Sequence, residues 1–193
     1  MVLKRTFDIV FSFIGLIFIL PVLAVVSLMI WIKMSKPVLF KQERIGRYGI
    51  PFTMYKFRTM IKKHHSGSIS VLGEDRITKL GASLRRHKID ELPELWNILK
   101  GDMSFVGPRP DVQEYLDRLQ GEEKLILNLR PGLTGPASLK YKNEEKLLSG
   151  VKDPVAYTNE VIWPDKVKIN LEYYHHTTFF KDMRIILTTL FGF

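Results

Sequence analysis

The longest apolar run of the chain lies at its N-terminus and predicts a membrane helix. No charged residue occurs between Asp8 and Lys33, and Pro21 stands near the middle of this run. About 20 apolar residues are enough to cross a bilayer as a helix, but a proline favours a kink. Both flanks are basic, and positive flanks prefer the cytoplasmic face; the cations are Lys4, Arg5, Lys33, Lys36 and Lys41. The residues alone leave a spanning helix and a re-entrant helix equally favoured.

The pattern then changes to short alternating segments that predict a β-hairpin. Residues 38–44 and 51–59 read as strands, and the glycine-containing stretch 46–49 supplies the turn. In the second strand Lys56 and Arg58 share one face, because side chains alternate along a strand. Two cations on one face are suited to a phosphate, although these two residues taken alone favour a solvated strand face.

Helical spacing dominates the remainder of the chain. Apolar residues recur at helical intervals in 77–87, in 92–99 and in 179–190. The polar stretch 62–76, which contains His64 and His65, predicts a loop. The expected fold class is therefore α+β and mainly helical, with a membrane segment at 1–36 and a second domain at 37–193. The last helix is expected either to pack in the core or to lie on the membrane surface.

Composition narrows the chemistry. The 193-residue chain has no cysteine, which excludes disulfides and thiolate metal sites. Its formal net charge of +9 favours a polyanionic partner, such as nucleic acid, anionic lipid or a phosphorylated substrate.

The acidic pair Asp90 and Glu91 stands immediately before a predicted helix whose first turn contains Pro93. Taken alone, the pair is explained by helix capping. A second feature is Arg109, which lies between Pro108 and Pro110. A guanidinium on a backbone fixed by prolines is suited to holding an anion in one geometry.

Several motifs in one order resemble the bacterial sugar transferases, the small monotopic phosphoglycosyl transferases. They are Tyr-Lys-Phe-Arg-Thr-Met at 55–60, Ile-Asp-Glu-Leu-Pro-Glu-Leu-Trp-Asn at 89–97, the stretch 99–110 that ends in Gly-Pro-Arg-Pro, and Arg-Pro-Gly-Leu-Thr-Gly at 130–135. The resemblance covers about residues 3–191.

The resemblance implies a re-entrant helix in one leaflet of the bacterial inner membrane, with the catalytic domain facing the cytoplasm. It implies Asp90 as the nucleophile, Glu91 as a partner of Mg²⁺ at the acidic site, and Arg85 and Arg109 as groups that organise the site or hold phosphate. The implied substrates are a UDP-sugar and a polyprenyl (undecaprenyl) phosphate, with the lipid bilayer as a further partner, release of UMP, and no nucleic acid. The sugar and the oligomeric state are left open.

Two positions depart from the family pattern. Leu20 precedes the membrane proline where a serine is common, and residues 136–141 differ from the aromatic or glutamine-rich stretch of many relatives. The alternative to an enzyme is a basic, membrane-anchored protein that binds anionic lipid or nucleic acid without chemistry.

Overall fold

The structure is a computed structural model that describes residues 2–61 and 76–192. Most of the predicted loop 62–76, including His64 and His65, lies outside the described residues.

The N-terminal helix α1 (Val2–Met34) forms from the long apolar run and contains Pro21 without interruption of its helical assignment. Within the described part of the chain, it is the one helix long and apolar enough to cross a membrane, by length and composition. Most of its large apolar side chains are exposed, including Phe18, Leu20 and Ile32. The expected apolar helix is confirmed, whereas its re-entrant geometry stays a prediction.

Both ends of α1 contact the same body of the protein. Near the N-terminus, Lys4 Nζ donates to the Val106 carbonyl at 2.7 Å and pairs with Asp182 at 2.7 Å, and Asp8 accepts from the Phe105 amide at 3.1 Å. The C-terminal half packs in an apolar cluster that contains Val26, Ile30, Phe57 and Leu84. The helix therefore lies along the domain instead of projecting from it.

The predicted hairpin is present. Strands β1 (Leu39–Ile45) and β2 (Pro51–Phe57) pair antiparallel, with Leu39 opposite Phe57. Asn97 ties the hairpin to the helix that follows the acidic pair: its Nδ2 donates to the Thr53 carbonyl at 2.7 Å, and its Oδ1 accepts from the Tyr55 amide at 3.2 Å.

Two helices flank the acidic pair. Helix α2 (Lys79–Arg86) begins at Thr78, whose hydroxyl accepts from the Gly81 amide at 2.9 Å, and α3 (Glu94–Lys100) ends at Gly101 in a left-handed conformation. A single 3₁₀ turn, Ile89–Glu91, joins them. The acidic pair therefore lies in a short turn between two helices.

A second, smaller sheet was not predicted. Strand β3 (Ser104–Val106) pairs in parallel with β4 (Gly132–Thr134). Two proline-containing loops meet here: one follows β3 and contains Pro108 and Pro110, and the other precedes β4 and contains Pro131. They cross so closely that a Cβ added at Gly107 would lie 2.2 Å from the Arg130 carbonyl oxygen. Only a residue without a side chain fits there, so Gly107 fixes the position of the loop that follows it.

Six further α-helices follow in the described part of the chain, and the last of them packs against the smaller sheet. They are α4 (Gln113–Leu116), α5 (Pro136–Lys140), α6 (Glu144–Ser149), α7 (Pro154–Tyr157), α8 (Trp163–His176) and α9 (Phe179–Phe191). Helix α9 fits both expectations for the C-terminus: Ile185 and Ile186 pack on the core, whereas Phe180 and Leu190 are exposed. The mainly helical α+β class is confirmed.

Candidate active site

Asp90 and Glu91 form the centre of the site. Each is only 8% exposed, in the 3₁₀ turn Ile89–Glu91. The turn is preceded by Lys88 in a left-handed conformation with φ of 56°, which is uncommon for a residue with a side chain. Backbone of this kind concentrates at functional sites and switch regions. The left-handed conformation of Lys88 therefore carries a conformational cost, and the turn that it precedes presents two adjacent carboxylates.

Glu91 is held by two cations. Its Oε1 accepts from Lys56 Nζ at 2.8 Å and from Arg109 Nη2 at 3.0 Å. Burial favours the neutral acid, but the charges of Arg109 and Lys56 outweigh it and hold the pKa of Glu91 well below its usual range. Glu91 is therefore an anion fixed between Lys56 of β2 and Arg109, which lies in the loop that follows β3.

Asp90 has a different environment although it is the adjacent residue. Its Oδ1 is buried and has no hydrogen-bond partner. Burial first, and then repulsion from Glu91, raises the pKa of Asp90 above its usual value, against the attraction of Lys56, Lys88 and Arg85. A buried carboxylate oxygen without a partner is costly, so this oxygen is available to a ligand.

Arg109 is placed by the crossing of the two proline-containing loops. Its side chain is 47% exposed, and it reaches Glu91 from the loop that follows β3. One part of the guanidinium is therefore fixed by Glu91, while another part faces solvent and remains accessible to an anion. The predicted role of Arg109, to organise the site or to hold phosphate, stays a prediction.

Glu94 was missed by the sequence reasoning. It is buried, and its Oε1 lies 3.1 Å from Lys56 Nζ. Burial, together with repulsion from Glu91, raises the pKa of Glu94 against the attraction of Lys56. The signal in the sequence was the spacing of three residues between Glu91 and Glu94, because residues three apart lie on the same face of a helical turn.

The structure does not bring every predicted phosphate-binding residue to Glu91. The guanidinium of Arg58 donates instead to the last carbonyls of α1 and the residues after it: Met34, Ser35 at 2.6 Å and Lys36 at 3.2 Å. Arg85 forms an ion pair with Glu145 at the other side of the cleft. A substrate-binding role for these two residues stays a prediction.

An open cleft of about 2700 Å³ connects these groups. Among residues 2–61 and 76–192, no three His, Asp or Glu side chains converge as a metal cage. That finding is compatible with Mg²⁺, which is commonly held by one or two carboxylates together with substrate phosphates. The unpartnered Asp90 Oδ1 is a suitable oxygen donor. Glu91 uses Oε1 for Lys56 and Arg109, so its contribution would fall on Oε2.

The protein combines an exposed apolar helix, long enough to cross a membrane, with a separate cleft lined by paired carboxylates and cations, a combination suited to an enzyme that acts at a membrane. The family model described as bacterial sugar transferase matches residues 1–193. This chain belongs to the bacterial sugar transferase family.

Similar proteins agree with that assignment. EpsL of Bacillus subtilis, described as an uncharacterized sugar transferase, is 37% identical over 98% of this chain and 86% of its own length. A second Bacillus subtilis protein, named provisionally as an undecaprenyl-phosphate N-acetylgalactosaminyl 1-phosphate transferase, is 42% identical over 75% of this chain and 80% of its own length. A UDP-glucose:undecaprenyl-phosphate glucose-1-phosphate transferase of Caulobacter vibrioides is 32% identical over 97% of this chain and 68% of its own length.

Proposed function

We propose that this chain transfers a sugar-1-phosphate from a UDP-sugar to undecaprenyl phosphate and releases UMP, through a covalent intermediate on Asp90. The family and the names of the relatives support the overall transfer. The observation that supports the covalent route is the contrast within the acidic pair. Glu91 is engaged by two cations, whereas Asp90 retains a buried oxygen without a partner.

In the first step, a carboxylate oxygen of Asp90 attacks the sugar-bearing phosphorus. The bond from that phosphorus to the bridging oxygen breaks, and UMP leaves with the electron pair. Arg109 and Lys56 place positive charge beside the attacked diphosphate, which stabilises the charge that develops on its oxygens. The product is an aspartyl phosphosugar.

In the second step, a phosphate oxygen of undecaprenyl phosphate attacks the same phosphorus. The bond to Asp90 breaks, the carboxylate is regenerated, and the lipid carries a diphosphate-linked sugar. Two successive displacements of this kind are covalent catalysis with ping-pong kinetics. Glu91 remains paired to Lys56 and Arg109, so its role is to hold these cations in place.

Asp90 and Glu91 are the residues that would hold Mg²⁺. When bound there, Mg²⁺ would supply positive charge that offsets the charge of the phosphates. The buried, unpartnered Asp90 oxygen supports this assignment because Mg²⁺ prefers carboxylate oxygen.

The position of α1 supports insertion into one leaflet from the cytoplasmic side. The helix has 33 residues, or about 50 Å of length, and the same polar domain contacts Lys4 near its start and Met34 at its end. A spanning helix would place its two ends on opposite sides of the hydrocarbon core, and the polar domain could contact both ends only by lying within that core, which does not accommodate it. An inserted α1 instead delivers the cleft to the lipid phosphate.

The test is intact-protein mass spectrometry of the protein in nanodiscs, mixed with Mg²⁺ and a panel of UDP-sugars but no lipid acceptor. We expect a mass gain of one sugar phosphate for the wild type. Asp90→Asn should give no adduct and lose at least about 10³-fold in turnover, because an amide cannot act as the nucleophile. Asn is nearly the same size as Asp and uncharged, and burial already disfavours the charged form of Asp90, so folding should be retained. EDTA should suppress the adduct in the wild type.

Two results would contradict the proposal. Normal lipid-dependent turnover by Asp90→Asn would remove Asp90 as the nucleophile. Absence of both adduct and turnover with all donors, together with salt-sensitive binding of anionic vesicles or nucleic acid, would favour a non-catalytic binding protein.

A further inference from the structure

A second group of polar residues lines the cleft near Arg109. Asp111, Asn170 and Arg109 border both the open cleft and a smaller cavity of about 50 Å³. The residues that line this smaller cavity include neither Asp90 nor Glu91. Arg109 therefore borders this second group as well as contacting Glu91 of the acidic pair.

Two buried atoms of this region have no hydrogen-bond partner. They are the Nε of Arg44 and the Oδ1 of Asn170, and both residues line the cleft. The other end of Arg44 is occupied, since Nη2 donates to Gln42 Oε1 at 2.9 Å. Unsatisfied buried polar atoms are rare and carry a desolvation cost. A donor and an acceptor left open on the same cleft are suited to a ligand that presents both.

Asp111 is the third member of the group. Burial raises the pKa of Asp111, and the opposing attraction comes first from Lys166, then from Arg44 and Arg109. The Asp111 carboxyl therefore lies within the electrostatic influence of three cations, and it can accept a hydrogen bond from a hydroxyl. The backbone carbonyl of Asp111 is fixed as well, because it accepts from the Ile45 amide at 3.0 Å.

The local helix geometry gives an independent indication. The turn Thr158–Ile162 is π-helical and runs directly into α8. Trp163, Lys166 and Asn170 are spaced three and four residues apart, so they share one face of α8, and all three line the cleft. Turns of this kind are rare and are frequent at functional sites. The π turn therefore sets the rotation of the face that presents Asn170.

We propose that Arg44, Asp111 and Asn170 form the subsite for the nucleoside monophosphate that leaves in the first step. The inference rests on the proposed function. In a phosphoryl displacement the attacking and leaving oxygens lie roughly in line. With Asp90 on one side of the attacked phosphorus and Arg109 beside the phosphates, the leaving group extends away from Asp90, toward this subsite.

The chemistry of the three groups matches a uridine. The uracil edge presents one N–H donor between two carbonyl acceptors, and the ribose presents hydroxyls. Asn170 Oδ1 accepts from the ring N–H, Arg44 Nε donates to a ring carbonyl, and Asp111 accepts from a ribose hydroxyl.

The test is calorimetric titration of UMP into the protein in nanodiscs, with Asn170→Leu as the main variant. Loss of one hydrogen bond to the base should weaken UMP binding about 5- to 10-fold. The same variant should keep or raise the thermal midpoint without UMP, because it removes a buried polar atom that has no partner. The control Glu172→Ala changes an exposed residue of α8 that does not line the cleft, and it should leave UMP binding unchanged. Arg44→Gln should weaken UMP binding as well.

The outcomes separate this inference from the catalytic proposal. Wild-type UMP affinity in both Asn170→Leu and Arg44→Gln would overturn the subsite, as would absence of UMP binding by the wild type. A changed preference among donor sugars with unchanged UMP affinity would assign these residues to the sugar and would also overturn it. If UMP binds and the variants weaken it, but no Asp90 adduct forms with any donor, the subsite stands and the covalent route fails.

Discussion

Lys56 and Arg58 are two cations, two residues apart, that were predicted to share a face and to bind phosphate together. In the structure the two side chains contact different groups. Lys56 Nζ lies between two buried carboxylates, 2.8 Å from Glu91 and 3.1 Å from Glu94. Arg58 donates to carbonyls at the end of α1. One cation contacts the carboxylates of the candidate site, and the other contacts the C-terminal end of α1.

The difference arises where β2 stops. The alternation that puts every second side chain on one face holds only inside a strand, and β2 ends at Phe57. Arg58 is therefore outside the strand, next to the C-terminal end of a helix, where unsatisfied carbonyls attract a cation. Similar charge at similar spacing thus does not define a shared role when an element boundary falls between the residues.

The contrast between Lys56 and Arg58 is tested most strongly by replacing Lys56. We expect Lys56→Gln to lower turnover and adduct yield about 10²-fold, because the positive charge beside the diphosphate is lost. The unfolding free energy should fall by about 3 kcal/mol, since Glu91 keeps only Arg109 and Glu94 loses a partner in a buried setting. Activity is measured by adduct mass spectrometry, and stability by denaturant titration. Adduct yield within about twofold of wild type would place Lys56 outside the reaction.

A second change acts on the site without touching a charge. Gly107→Ala should lower the unfolding free energy by about 2–4 kcal/mol, because the new methyl group overlaps the Arg130 carbonyl and forces the two loops apart. Arg109 should move with its loop, so turnover should fall as well. The matched control is Gly150→Ala, where the nearest atom to an added Cβ is 3.6 Å away. Equal effects of the two substitutions would argue against the close crossing.

The smallest expected effect comes from Arg58. Arg58→Gln should lower the unfolding free energy by about 1–2 kcal/mol through loss of the contacts at the end of α1. Adduct yield should remain within about threefold of wild type, in contrast to Lys56→Gln. Single-turnover adduct formation at saturating donor gives this comparison directly. A loss as large as that of Lys56→Gln would show that Arg58 does serve the substrate, as its position in the sequence first indicated.

The sequence predicted elements better than it predicted contacts. The apolar helix, the hairpin and the helix that follows the acidic pair all follow from local patterns, and the structure places each within a few residues of its expected bounds. Glu94 was overlooked because its burial depends on Lys56, which arrives from a strand far away in the chain. The parallel pairing of β3 and β4 was missed for a related reason. Each strand has too few residues to show an alternating pattern in the sequence, and each is defined only by its pairing with the other.

What the sequence determined by itself is the class of the protein: an apolar helix, a mainly helical catalytic portion, and a motif order that resembles one family. Those features depend on neighbours along the chain, such as the apolar run from Ile9 to Ile32 and the prolines on both sides of Arg109. Only the tertiary structure decided that Glu91 is paired with cations and that Asp90 keeps an oxygen without a hydrogen-bond partner among the described residues. That distinction depends on Lys56 and Arg109 converging on Glu91 from separate segments, because electrostatic and hydrogen-bond satisfaction are properties of groups close in space.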